Sequence, residues 1–205
     1  MEKIKLLLYC CKQPHKLFNT DKGFVLSDFE LGDAFKDKTL LNGKIVAECD
    51  FEVDTIVMQK GADDKIYGNN GFMGYGIISK NHSFSWYDEN KTCLSKEELF
   101  KYLKGKNGYA IHIKNLNIFD EPKELSECMS IKTFENDFVR KTLSPEMVSK
   151  APQNMMKVKM WVDGKEFGMW KNYVLISIRP EWLVKILNGE KTIEVRKKVL
   201  KEMVK

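Results

Sequence analysis

One block near the end of the chain, residues 173–196, restricts the fold more than any other segment. Residues 173–178 are apolar and mostly β-branched, which predicts a buried strand. Pro180 suits the first turn of a helix, where the missing N–H costs nothing, and Asn188 with Gly189 supplies the left-handed residue that ends a helix. The block therefore predicts a strand, a short helix, a glycine turn and a second strand.

Three charged residues follow the glycine turn. Lys191 lies in the turn, and Glu194 and Arg196 fall in the second predicted strand. Residues two apart in a strand project to the same face, about 7 Å apart. We therefore expect the three side chains to converge into an anion-facing site. A structural interpretation stays open, in which Glu194 and Arg196 pair with each other beside Lys191 and hold a corner of the fold, worth little if the pair is partly exposed.

This block resembles the signature of the ASCH domain, a small β-barrel of the PUA-like superfamily whose members are associated with RNA and modified nucleosides. The residues that carry the resemblance are Ile176, Ser177, Pro180, Ile186, Leu187, Gly189, Lys191, Thr192, Glu194 and Arg196. The resemblance implies an α+β fold, namely a PUA-like β-barrel flanked by short helices.

The remaining segments resemble bacterial and phage-borne members of that family, but in a different order. Segments like residues 5–12, 41–51, 102–113 and 118–126 follow the signature in the family, whereas here they precede it. The chain therefore resembles a circular permutant, cut between the strand of Glu194 and the first strand. Such a permutant is a monomer, or a swapped dimer if the signature block docks onto a second molecule.

The permutation predicts one domain over residues 1–205. Residues 1–156 would correspond to the usual C-terminal part, and residues 173–205 to the usual N-terminal signature. Residues 157–172 would form a connecting hairpin, with Asp163 and Gly164 as its two-residue turn. Trp161 and Trp170 would then face each other, either stabilising the hairpin or stacking on a base.

Composition restricts the class of protein. The chain is 43% hydrophobic and 31% charged, with a net charge of +5. That balance predicts a globular, cytoplasmic protein, and no apolar run approaches the roughly 20 residues of a membrane span. Five cysteines without a Cys-x-x-Cys spacing predict reduced thiols, neither a disulfide framework nor a metal site, and no cofactor is implied.

A nucleic-acid or nucleoside-binding module is the first functional hypothesis, with single-stranded RNA or a modified base as ligand. Recognition of an unstacked base needs a flat aromatic or guanidinium surface, an anion contact and hydrogen bonds to the base edge. Lys191, Glu194 and Arg196 would form one wall of the cleft. The aromatic surface would come from Tyr9 or Trp182, and Tyr9 or Lys12 would form the opposite wall.

Lysines at the end of the chain supply the expected phosphate contacts: Lys197, Lys198 and Lys201. The alternative is a solvated tail whose charges only keep it soluble.

Two other classes of function stay open. Some ASCH proteins are amidohydrolases on acetylated cytidine, in which a lysine like Lys191, a threonine three residues later and a distant glutamate do the chemistry. Glu194 occupies the threonine position here, which argues against the same mechanism, and Asp88 or Glu89 are the only guesses for the carboxylate. If the chain is an enzyme, Lys191 and Glu194 would be catalytic. The third class is a phage counter-defence protein that sequesters a host protein or a nucleotide signal.

Two local patterns complete the expectations. Residues 94–104 predict a helix whose first turn is closed by a capping box of Ser95 and Glu98. Residues 109–116 predict a strand in which His112 is a hydrogen-bonded structural residue, and residues 117–150 predict irregular structure.

Overall fold

A computed structural model describes residues 4–11, 41–58, 75–130, 143–151, 155–161 and 170–204. Within these ranges the fold is α+β and rich in strands, with few and short helices, which confirms the predicted class. The PUA-like barrel and the permuted order stay predictions.

The strands are β1 Lys5–Cys10, β2 Lys44–Met58, β3 Tyr75–Ile78, β4 Phe84–Trp86, β5 Gly108–Glu124, β6 Cys128–Ser130, β7 Met155–Trp161, β8 Trp170–Ile178 and β9 Ile193–Arg196. The α-helices are α1 Glu89–Thr92, α2 Lys96–Leu103, α3 Pro145–Lys150 and α4 Pro180–Leu187, and short 3-10 turns span Leu125–Glu127 and Lys201–Met203. At eight residues or fewer, the α-helices of the described ranges cannot cross a membrane.

Two compact units make up the chain. The first comprises Met1–Asp50 and Asn115–Asn188, and the second comprises Phe51–Lys114 and Gly189–Lys205. The signature block is therefore divided, with its first strand and helix in one unit and its charged strand in the other. A single domain over residues 1–205 stays a prediction.

In the first unit, β1 lies between two partners. It runs parallel to β8, with Leu7 opposite Leu175, and antiparallel to β2, with Leu7 opposite Glu48. β7 then pairs with β8 and β6 with β7, both antiparallel. The buried core of this sheet comprises Leu7, Tyr9, Ile45, Leu125, Cys128, Leu143, Val148, Val158, Met160, Tyr173 and Leu175.

Both ends of α4 follow the sequence signals. Pro180 occupies the first helical position, and the helix ends at Leu187. Gly189 then adopts a φ of 77°, which only glycine reaches without strain. Burial of Leu183, Val184 and Ile186 gives the helix its apolar side, and the helix contacts β1.

In the second unit, β3 pairs with β2 and β4 with β3, while β5 pairs with both β2 and β9. All pairs with a described register are antiparallel, and Ile111 lies opposite Glu194. A second core fills this unit: Ile56, Tyr75, Ile77, Tyr87, Leu99, Leu103, Ala110, Ile193 and Val195.

Strand β5 is longer than the sequence suggests. It continues through Glu121 and Pro122 to Glu124, where an irregular segment is expected. The residue before a proline is driven toward extended backbone, so this dipeptide is compatible with the margin of a sheet. A 3-10 turn, β6 and α3 also occupy the described part of residues 117–150, which corrects that expectation. The turn at Asp163 and Gly164 lies outside the described residues.

The capping box predicted at the start of helix α2 is present. The Ser95 hydroxyl accepts a hydrogen bond from the Glu98 N–H at 3.1 Å, and the Glu98 carboxylate accepts one from the Ser95 N–H at 2.8 Å. We expect Ser95→Ala to lower the free energy of unfolding by about 1 kcal/mol, because it leaves a helix N–H without its acceptor. Urea unfolding measures this. The exposed Ser126→Ala is the matched control, and equal stability of the two variants would contradict the capping role.

Candidate functional site

The sequence-predicted charged residues come together on the second unit. Glu194 and Arg196 lie on β9, and the Arg196 Nε lies 2.9 Å from the Glu194 Oε1. Lys191 enters from the preceding turn and places its Nζ 3.5 Å from the Glu194 Oε2. One carboxylate therefore bridges two cations. The expected convergence and the expected pair of Glu194 with Arg196 are both present in the same cluster.

This cluster is buried, which the sequence does not suggest. Lys191 is 2% exposed, Glu194 8% and Arg196 9%. Desolvation of charges is costly, so such a cluster must be compensated by close hydrogen bonds. The assumption of a partly exposed and weak pair is therefore corrected.

Lys191 also hydrogen-bonds to the backbone. Its Nζ donates to the Thr92 carbonyl oxygen at 2.5 Å, at the end of α1. Carbonyl groups at a helix end have no partner within the helix and carry partial negative charge. The end of α1 is therefore a natural acceptor for a buried ammonium.

The turn after α1 is shaped by its own residues. Asp88 caps the start of the helix by accepting from the Asn90 and Lys91 N–H groups, and Cys93 ends it with a left-handed φ of 55°. The Tyr87 and Thr92 hydroxyls are 2.5 Å apart, and the Tyr87 hydroxyl donates to the Leu94 carbonyl at 3.1 Å. These contacts fix the orientation of the Thr92 carbonyl.

Two further contacts join this turn to the segment that carries Lys191. The Thr192 N–H donates to the Lys91 carbonyl at 2.9 Å. The Cys93 thiol donates to the Glu190 carbonyl at 3.6 Å. The backbone on both sides of Lys191 is thus attached to α1, which aims the lysine at the helix end.

A glycine lets β9 approach its neighbour. A Cβ at Gly108 would lie 2.8 Å from a Leu103 methyl carbon and 3.1 Å from the Arg196 carbonyl oxygen. Contacts under 3 Å require the neighbours to move. Gly108 therefore permits the close packing that positions Arg196.

Burial dominates the electrostatics of Lys191. Desolvation lowers the pKa of Lys191 below its ordinary value, because the charged form loses its water, while the carboxylate of Glu194 acts in the opposite direction. Two cations share one carboxylate here. The three side chains therefore hold one surplus positive charge whenever Lys191 is protonated.

The other predicted ligand-binding residues belong to the first unit or to undescribed segments. Tyr9 is buried in the first core at 2% exposure, and desolvation raises the pKa of its phenol to about 12. Trp182 is partly buried on α4, with the Lys185 ammonium 5.4 Å from its ring centre. Lys12 lies outside the described residues. The role of these three in binding stays a prediction.

The predicted phosphate contacts are exposed. Lys197, Lys198 and Lys201 all lie at the surface of the second unit, directly after β9. The Lys197 ammonium also lies 4.7 Å from the centre of the Tyr102 ring, which gives it a cation–π contact.

The suggested distant carboxylates stand at the start of α1. Asp88 is committed to capping the helix, and Glu89 lies 3.8 Å from Lys96 at the surface. Lys191 is held at the opposite end of the same helix. Within the described residues, no three His, Cys, Asp or Glu side chains are grouped as metal ligands.

Sequence reasoning missed the α1 turn as part of the site. The partner of Lys191 is a backbone carbonyl 99 positions away, which no side-chain pattern reveals. The sequence signal for a helix start there was Asp88, a preferred N-cap residue that is followed by polar residues. The His112 Nε2 lies 2.9 Å from the Asp54 Oδ2, and its expected role as a hydrogen-bonded structural residue stays a prediction.

Comparisons with models of known families, with characterised proteins and with solved structures find no match for this chain. The ASCH resemblance therefore rests on the residues quoted for it.

Removal of the bridging carboxylate tests the coupling of the cluster. We expect Glu194→Gln to lower the free energy of unfolding by about 3 kcal/mol, because it leaves two buried cations without their counter-charge. Chemical unfolding at neutral pH measures the change. Glu52→Gln is the matched control, since Glu52 pairs with Lys114 at 2.6 Å with both side chains about half exposed, and it should cost less than about 1 kcal/mol. Similar losses for the two variants would contradict the buried coupling.

The lowered pKa of Lys191 predicts a pH dependence of stability. Between its folded pKa and the ordinary value of 10.5, the unfolded lysine binds more protons than the folded one. The free energy of unfolding therefore rises with pH in this window. The contribution of Lys191 is fully present above 10.5 and is lost as the pH falls through the folded pKa.

Lys191→Met should remove that contribution. We expect the stability of the wild type relative to Lys191→Met to increase as the pH is raised toward 10.5, measured by urea unfolding at several alkaline pH values. Lys114→Met, at an exposed position, should show no such trend. A wild-type advantage that shrinks with rising pH would reverse the sign and refute the assignment.

Proposed function

We propose that this chain binds nucleic acid or nucleotides, with single-stranded RNA or an unpaired base held at the surface above the Lys191, Glu194 and Arg196 cluster. The observation that carries the proposal is a cluster in which two cations, Lys191 and Arg196, converge on the carboxylate of Glu194. An anionic ligand would meet two cationic side chains, Lys191 and Arg196, at one place.

The two polar groups nearest the surface have suitable chemistry. Arg196 and Glu194 retain a small exposed edge, a guanidinium beside a carboxylate. A guanidinium offers donors in a planar fork, and a carboxylate accepts from amino groups on a base edge. The pair therefore supplies both donors and acceptors at one place. Lys191 is more deeply buried and contacts the Glu194 carboxylate from the interior.

Charge distribution agrees with an anionic ligand. The second unit holds 15 Lys and Arg against 11 Asp and Glu, so four of the net five positive charges of the chain belong to it. Lys197, Lys198 and Lys201 are exposed directly beyond the cluster. Phosphate contacts from a few exposed lysines are typical of modest, salt-dependent binding.

A catalytic role is the second candidate, and the burial of Lys191 favours it. A desolvated lysine with a lowered pKa carries a larger neutral fraction near neutral pH, which a base or nucleophile requires. Release of acetate from acetylated cytidine, absent with Lys191→Met, would move the assignment to an amidohydrolase. A counter-defence protein that sequesters a host protein or a nucleotide signal remains the third prediction.

Titration with short oligonucleotides and nucleoside phosphates at two salt concentrations tests the binding function. We expect Lys198→Ala and Lys201→Ala to weaken every sequence alike, and Glu194→Gln to change which base is preferred, because only base-edge contacts carry that information. Few phosphates are neutralised, so affinity should fall with salt on a shallow slope. Thermal melting of each variant separates lost binding from lost folding.

Lys150→Ala, an exposed lysine of α3 in the first unit, is the matched control and should bind like the wild type. No binding tighter than about 100 μM at low salt, the weak limit of nonspecific association, would reject the proposal.

A further inference from the structure

A second feature of the second unit presents aromatic rings to solvent. Strand β4 consists of Phe84, Ser85 and Trp86, all exposed, with Phe84 at 46% and Trp86 at 60%. Large aromatic side chains bury most of their surface in ordinary folds. Two such rings side by side on one strand form an apolar patch that is exposed in the part of the chain that the structure describes.

The hairpin that carries these rings is well braced. The Ser79 N–H donates to the Ser83 carbonyl at 3.0 Å, and the His82 N–H donates to the Ser79 carbonyl at 2.9 Å. The Ser79 and Ser83 hydroxyls are 2.5 Å apart. The two strands are therefore joined by a closed, hydrogen-bonded turn rather than by a loose connection.

Phe84 is seated on a glycine and supports Trp86. A Cβ at Gly76 would lie 2.0 Å from the Phe84 ring, so the ring packs directly over the glycine. Phe84 and Trp86 meet edge to face, with ring centres 5.1 Å apart and an interplanar angle of 82°. Trp86 thus has a fixed neighbour on one side while most of its own surface stays in solvent.

The net charge of the second unit indicates what kind of partner the patch of Phe84 and Trp86 accepts. Residues 75–87 contain Lys80 and His82, and Asp88 and Glu89 follow them directly. The unit around them is positively charged, whereas the first unit is nearly neutral, with 19 basic against 18 acidic residues. Exposed rings on a unit of net positive charge complement a polyanion that also carries flat apolar surfaces, which describes a single-stranded nucleic acid.

We propose that Trp86, braced by Phe84, is a stacking platform for an unpaired base of single-stranded nucleic acid. The inference rests on the proposed function and adds a base contact on a patch that the sequence did not single out. Stacking is tolerant of base identity because every base has a flat π surface. Trp86 therefore contributes affinity, whereas discrimination between bases belongs to Glu194 and Arg196.

Fluorescence anisotropy with labelled ten-nucleotide uridine and adenosine oligonucleotides tests the platform. We expect Trp86→Ala to weaken both oligonucleotides by at least about fivefold, the lower limit for loss of one stacked base. Inorganic polyphosphate is a polyanion without bases. Its dissociation constant, obtained by competition, should be the same for Trp86→Ala and for the wild type. Trp86→Phe retains a ring and should bind within about threefold of the wild type.

The control is Val204→Ala, an exposed apolar residue of the same unit without a ring, which should bind normally. Unchanged oligonucleotide affinity in Trp86→Ala, while Glu194→Gln still alters base preference, would overturn the platform alone and assign the patch to a protein partner. Equal loss of oligonucleotide and polyphosphate affinity would also overturn it, because stacking does not act on phosphate. Failure of the wild type to bind any oligonucleotide removes the proposed function and the platform with it.

Discussion

The buried ammonium of Lys191 is the constraint on which the site of the second unit depends. Moving such a group out of water costs several kcal/mol unless close partners replace the lost hydration. Its replacements are the Thr92 carbonyl at 2.5 Å and the Glu194 carboxylate at 3.5 Å. Both must be in place at once. The Lys191 side chain therefore joins the end of α1 to the strand β9, beside the Thr192 and Cys93 contacts of the same turn.

Apolar and charged residues alternate along strand β9, which places Glu194 beside Lys191. Ile193 and Val195 belong to the apolar core, while Glu194 and Arg196 alternate with them and form the charged cluster. A register shift of one residue would exchange the two sets and place a carboxylate and a guanidinium in the core. The pairing of Ala110 with Val195 and of Ile111 with Glu194 is therefore strongly specified. Site geometry and core packing enforce the same register.

Local elements of the fold were predictable because their signals are local. Pro180 and Gly189 delimit α4, and Ser95 with Glu98 closes the first turn of α2, since each device needs only residues within one turn of the helix. The grouping of Lys191, Glu194 and Arg196 was predictable too, because strand periodicity and a short turn fix it. Their burial was not. It depends on the carbonyl of Thr92 and on the left-handed turn at Cys93, which are tertiary and backbone features.

Structural stabilisation alone accounts poorly for this cluster. Buried ion pairs are frequently no more stable than apolar residues of the same size, so a buried charged cluster is an inefficient way to hold a corner of a fold. A surplus cation becomes an advantage when an anion binds, because a ligand that prefers the folded state adds its binding free energy to stability. The convergence of Lys191 and Arg196 on Glu194 is thus compatible with the proposed anion site. The same reasoning applies to Trp86, whose exposed ring loses hydrophobic stabilisation in the free protein and recovers it when a flat partner covers the ring.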